Sequence, residues 1–189
     1  SGDLVALQNG CICCTLKTDL IEQIVEIAET DKFDYIVIEA SGICEPAPIA
    51  QTICTIPRLD HSISKGTRPR LDCIVTVVDA LRMKSEFGCG DALDTKKIDE
   101  EDIENLIIEQ IEFCNIILLN KIDEVTPDEA RHIKAVVRAL QPKAEIIECN
   151  YADVDLDKLL NTHMFNFEAV ATSAAWIHDC LLYTSDAAD

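Results

Sequence analysis

Short, continuous apolar runs alternate along the chain with longer stretches in which apolar residues recur every three or four positions. The first kind of pattern predicts strands covered on both faces, the second amphipathic helices. An opening run, Leu4-Val5-Ala6-Leu7, breaks at Gly10. A helix follows, capped by Thr18 or Asp19 and ending near Thr30, with Leu20, Ile21, Ile24, Val25, Ile27 and Ala28 as its stripe. Tyr35 to Ile38 reads as a buried strand that ends in Glu39, with Gly42 three residues on. Pro46 and Pro48 start a short helix, about Ala47 to Ile53. Ile56 to Arg70, with Pro57, Gly66 and Pro69, reads as a surface loop. Asp72 to Asp79 is a second strand, and Asp79 is suited to cap the short helix after it. A helix ends near Phe113 with Ile103, Leu106, Ile107, Gln110 and Ile111 as its inner stripe, and an apolar strand from Cys114 runs into Asn120. Thr126 and Pro127 have the chemistry of a helix start, and that helix extends to Leu140. Glu145 to Glu148 is a last strand, Leu156 to Asn161 a helical turn or two, and beyond about Asn166 the periodicity fades. Strands alternating with helices predict an α/β fold with a doubly wound, mostly parallel sheet.

Composition narrows the function classes. The 189 residues are 48% hydrophobic, enough for one core. The formal net charge of −19 argues against nucleic acid, whose phosphates need a basic face, and against an anionic membrane surface. No apolar run approaches the ~20 residues that span a bilayer, and Ser1-Gly2-Asp3 lacks the basic start of a signal peptide. Apart from one cluster, the ten cysteines sit singly in helices and at strand ends. That spacing fits a reducing cytoplasm, with most thiols acting as small buried hydrophobes.

Three stretches carry chemistry. In Cys11-Ile12-Cys13-Cys14, three soft donors on one tight loop suit a thiophilic d10 ion, Zn²⁺ above all or Cu(I). Three thiolates leave a fourth position open, which favours delivery or regulation over a closed structural site. Glu39, at the carboxyl end of its expected strand, is placed to hold a hydrated Mg²⁺ or orient a water, and Gly42 to offer its N–H to a terminal phosphate. Asn120-Lys121-Ile122-Asp123 sits at the end of another strand. An aspartate carboxylate can accept from both N1–H and the 2-amino group of guanine, a donor pair adenine lacks. Asp123 is therefore the discriminator. Lys121 can lay its methylene stem along the purine, and Asn120 can bond the base or tie neighbouring loops.

In this order, G-C-I-C-C-T-L, I-V-I-E-A-S-G-I-C-E-P-A-P, T-V-V-D-A and L-L-N-K-I-D resemble the CobW-like group of P-loop GTPases and metallochaperones, relatives of the urease and hydrogenase nickel-insertion GTPases. The resemblance covers roughly Gly2 to Glu148. It implies GTP hydrolysis coupled to handling a transition metal, most often Zn²⁺, with GTP, Mg²⁺ and Zn²⁺ as cofactors or cargo. It also implies a client metalloprotein as partner and allows a homodimer. By resemblance Glu39 falls on the Walker B acidic position, Gly42 on the switch glycine, and Asn120, Lys121 and Asp123 on the guanine motif. Cys11, Cys13 and Cys14 fall on the metal loop. The group's G-x-x-x-x-G-K-[ST] phosphate loop occurs nowhere in the sequence, so residues 1–165 read as a partial GTPase domain lacking the first strand, phosphate loop and first helix. Little GTPase activity is expected of this chain alone. Residues 166–189 do not resemble the group, and Cys180 to Asp189 are expected to carry no function. Two other readings remain open: a nucleotide-independent zinc-binding or interaction module, and, less suited to cysteines so close together, a thiol redox protein.

Overall fold

The computed structural model describes residues 14–94 and 103–166. Among these residues three parallel strands form one sheet: β1 (Val75–Asp79), β2 (Ile116–Asn120) and β3 (Glu145–Glu148), in that spatial order. Six α-helices accompany them: α1 (Cys14–Glu29), α2 (Pro46–Thr55), α3 (His61–Ser64), α4 (Ala80–Phe87), α5 (Ile103–Glu112) and α6 (Pro127–Leu140). The α/β class and parallel sheet expected from the alternation are what the chain adopts.

β2 is central, and its continuous apolar run is explained by burial on both faces. Ile117 and Leu119 pack with Met83 and Phe87 of α4, Ile111 of α5, and Ile133 and Val137 of α6. Ile116 and Leu118 point the other way, to Cys149, with Cys73, Ile147, Leu159 and Met164 around them. The two-residue period of a strand thus sorts one run into two cores. α6 starts where Thr126 and Pro127 indicate. The Thr126 hydroxyl accepts the Glu129 N–H at 3.3 Å, and the Glu129 carboxylate accepts the Thr126 N–H at 2.8 Å, a reciprocal cap.

A separate cluster joins α1 to α2: Leu20, Ile21, Ile24 and Val25 meet Ile53 and Ile56. α1 starts at Cys14, earlier than a cap at Thr18 or Asp19 would place it. The stretch from Ile56 to Arg70 is also more ordered than a surface loop. Ile56 is fully buried at the start of a one-turn 3-10 helix, and Asp60 caps α3 by accepting the Ser62 N–H at 2.8 Å.

The clearest departure is Tyr35 to Ile38, expected as a strand covered on both faces. It lies outside the sheet, and Val37 is 77% exposed. Covering a run on both faces requires partners for its backbone N–H and C=O groups, and among the described residues no strand pairs with this one. The stretch is held by side chains instead. Ile36 packs on the α1–α2 cluster, and the Tyr35 hydroxyl donates to Asp72 at 2.9 Å. Asp72 also accepts the N–H groups of Thr162 at 2.9 Å and His163 at 2.8 Å, and Arg70 stands 3.3 Å away. Burial alone would raise the Asp72 pKa, but these donors outweigh it and hold the carboxyl at about 2.

Candidate functional site

β1 and β2 end in register, with Asp79 opposite Asn120, so their polar tips emerge side by side at the carboxyl edge of the sheet. Beyond β2 the backbone turns sharply: Lys121 has φ 58°, in the left-handed region, and Ile122–Glu124 form one 3-10 turn. The turn brings the Lys121 ammonium to the Asp79 carboxylate at 2.6 Å. Asp79 also accepts the Arg82 N–H at 3.0 Å, so it caps α4 as its position suggests and holds the lysine as well. Burial pulls the Asp79 pKa up, but the bonds from Lys121 and from the Arg82 N–H outweigh it and leave it lowered. The same pair raises Lys121.

Asn120 ties neighbouring loops together, one of its two expected roles. Its carbonyl oxygen accepts the Ala152 N–H at 3.0 Å, and the Cys149 thiol lies 3.7 Å away. The Ile122 N–H donates to the Cys149 carbonyl at 3.3 Å, and the Asp123 N–H to the Asn150 side chain at 3.1 Å. The loop after β3 therefore fixes the loop after β2, and the Asp123 side chain stays exposed to solvent. An exposed carboxylate on a fixed backbone, beside a lysine whose head is anchored, can accept paired donors from the edge of a planar base.

Glu39 and Gly42 are exposed and lie on the stretch outside the sheet, so Glu39 does not end a paired strand. Gln110 of α5 holds this stretch: its side-chain amide donates to the Gly42 carbonyl at 3.1 Å and the Cys44 carbonyl at 3.0 Å. Its own carbonyl accepts the Thr76 hydroxyl at 2.7 Å, which joins α5 to β1. A Cβ at Gly42 would meet nothing within 4 Å, and the residue is not among the glycines with positive φ.

Cys11 and Cys13 lie outside the described residues, and Cys14 is the first residue of α1. Among the described residues no group of three or more His, Cys, Asp or Glu is arranged to hold a metal ion. Of the scattered thiols among the described residues, Cys44, Cys114 and Cys149 are buried as expected while Cys54, Cys73 and Cys89 are half-buried, and burial pushes Cys114 up to about 12, far from thiolate. Asn120, Lys121 and Asp123 share the sharp turn after β2, Asn120 held by Ala152, Lys121 by Asp79, and Asp123 exposed to solvent. The structure adds three features the motif did not announce: the Asp79 ion pair, the Asn150–Ala152 loop and the Gln110 clamp. Only Asp79 had a signal in the sequence, an acid at a strand's carboxyl end.

The sequence profile of the family described as CobW/HypB/UreG, nucleotide-binding domain, matches residues 1–148. A zinc-regulated GTPase metalloprotein activator 1 of Dictyostelium discoideum is 35% identical over 182 residues, 93% of this chain and 38% of the relative. The protein of that name in Schizosaccharomyces pombe is 34% identical over 80% of this chain and 32% of its own length. A zinc chaperone CobW of Sinorhizobium is 32% identical over 71% of this chain and 38% of its own. The chain thus spans well under half the length of these relatives. No solved structure gives a significant match. With the profile covering most of the chain and a parallel α/β fold beneath it, the chain belongs to the CobW/HypB/UreG nucleotide-binding-domain family.

Proposed function

We propose that the chain is part of a GTP-hydrolysing zinc chaperone that couples the nucleotide state to metal transfer from the Cys11, Cys13, Cys14 loop to a client metalloprotein. The observation that carries the nucleotide half is the paired end of β1 and β2. There Asp79 anchors the Lys121 head, Asn120 locks the adjoining loop, and the Asp123 carboxylate is left exposed. Asp123 then reads the guanine edge while the Lys121 stem lies along the ring. In this reading Glu39, an exposed carboxylate, would hold a hydrated Mg²⁺, and the exposed Gly42 would present its N–H to the terminal phosphate. The open space around Gly42 supports that role: the described neighbours do not require a glycine there, whereas the close approach of a phosphate does. Zinc, the metal in the relatives' names, is the cargo. Thiols left free among the described residues fit a reducing cytoplasm. No helix among the described residues is long and apolar enough to cross a membrane.

The course of the chain supports coupling. α1 begins at Cys14, one of the three cysteines, and Ile36, on the stretch bearing Glu39, packs on the cluster that α1 forms with α2. A change at Gly42 would thus be felt along the stretch that meets the α1–α2 cluster.

The test is a substitution that reverses a donor. Asp123→Asn in the full-length protein replaces an acceptor with an amide that can donate to the 2-oxo group of xanthine. GDP binding should weaken by at least tenfold and XDP binding should tighten, both read by calorimetry, since a site built on paired hydrogen bonds rejects the mismatched base strongly. Unchanged GDP affinity would remove Asp123 from the site.

A further inference from the structure

After β3 the backbone enters the left-handed region twice in succession, at Tyr151 (φ 54°) and Ala152 (φ 52°). Neither residue is glycine, so the conformation is strained and persists only because its surroundings impose it. The restraints are on both sides of Tyr151. Asn120 accepts the Ala152 N–H at 3.0 Å, and the Asn150 side chain accepts the Asp123 N–H at 3.1 Å. The Asp153 N–H closes the turn on the Asn150 carbonyl at 3.0 Å. The outcome is an aromatic residue 92% exposed, set between two residues bonded to the base-reading motif. An aromatic ring held bare by a strained turn does nothing for the core; its amphipathic face is suited to a planar partner.

We propose that Tyr151 forms the second wall of the base pocket, stacking on the face of the purine opposite the Lys121 stem while Asp123 reads its edge. This rests on the guanine-binding reading above and adds the residue that supplies affinity without selectivity. Lys121 suits the other wall because the ion pair of its head with Asp79, 2.6 Å away, favours a stem lying at the edge of the sheet. Stacking is tolerant of which base is bound, because every base has a π-face. Tyr151 should therefore raise the affinity for GDP and ADP alike, and Asp123 should set the ratio between them.

The test compares Tyr151→Ala, Tyr151→Phe and Asp123→Ala in the full-length protein, by calorimetry with GDP and ADP and by NMR of the guanine H8. Tyr151→Ala is expected to weaken both nucleotides about tenfold with their ratio kept. The upfield ring-current shift of H8 should vanish with it. Tyr151→Phe should retain wild-type affinity and the shift, and melting temperatures should not move, since the side chain is bare. GDP affinity unchanged by Tyr151→Ala, or an equal loss in Tyr151→Phe, overturns the stacking role while the base-reading role of Asp123 stands. If wild-type protein binds no guanine nucleotide, or Asp123→Ala keeps the preference for GDP over ADP, the base-pocket reading itself falls and this proposal falls with it.

Discussion

A single carboxylate, Asp72, joins three segments distant in sequence: Tyr35 ahead of the Glu39 stretch, the entry to β1, and Thr162–His163 after β3. It is 6% exposed, so leaving it unpaired would be costly; with its donors in place it is a joint. Its effect on stability has a definite sign. The folded pKa of about 2 lies below the ~3.9 of a free aspartate, so the native state favours the charged form. The stabilisation is full above pH ~4 and disappears as pH falls toward 2, with a size on the order of 2 kcal/mol. Asp72→Asn should lower unfolding free energy in urea by about that amount at pH 7 and converge on the wild type near pH 2. Parallel curves across the range would show that the charge is not what matters. Tyr35 responds at the other extreme. Burial first, then the bond to Asp72, push its pKa up to about 12, so its contribution holds below pH ~10 and fades as pH rises through 12.

At the scale of elements, the sequence was most legible where one physical signal decided the structure. β2 was plain because both of its faces are buried, so every residue from Ile116 to Leu119 had to be apolar. α6 was plain because Thr126 and Pro127 write a helix start in local chemistry that needs no tertiary help, to which the structure adds the Glu129 half of the cap. That independence yields a prediction. Thr126→Ala removes one of two reciprocal bonds and should cost about 1 kcal/mol, a fall of a few degrees in melting temperature by calorimetry. Glu129→Ala should cost less than Thr126→Ala if the hydroxyl is the stronger half of the cap; a null effect of both would mean packing of Ile133 and Val137 alone fixes the helix. The Tyr35 to Ile38 run was misread because composition records that a residue is apolar and not whether a neighbouring strand is there to pair with it. α1 was misplaced at its start because the cap chemistry at Thr18 and Asp19 was strong locally, while the helix continues back to Cys14. Within the candidate site, the residues after β2 were visible as a motif. Gln110 and the Asn150–Ala152 loop were not, since their roles arise from contacts between residues 27 to 68 positions apart.

For the molecule as a whole, the proposed function requires that a nucleotide at one place change the metal affinity at another, and such coupling is a free energy carried by differential contacts. The structure supplies a chain of contacts that would carry it. Thr76 of β1 bonds the Gln110 carbonyl, Gln110 grips the carbonyls of Gly42 and Cys44, and Ile36 of the same stretch packs on the cluster that joins α1, which begins at Cys14, to α2. If Gln110 is the clamp through which Gly42 reports, two measurements must separate. In the full-length protein, Zn²⁺ affinity by competition with a chromophoric chelator should differ at least fivefold between the GTP-analogue and GDP states. In Gln110→Ala that ratio should collapse toward one, while Zn²⁺ affinity without nucleotide stays unchanged, because the bonds lost are those to the Gly42 and Cys44 carbonyls. Equal affinities in the wild type refute the coupling. An undiminished ratio in Gln110→Ala leaves the coupling standing but routes it elsewhere, through the sheet edge and not through the clamp on Gly42.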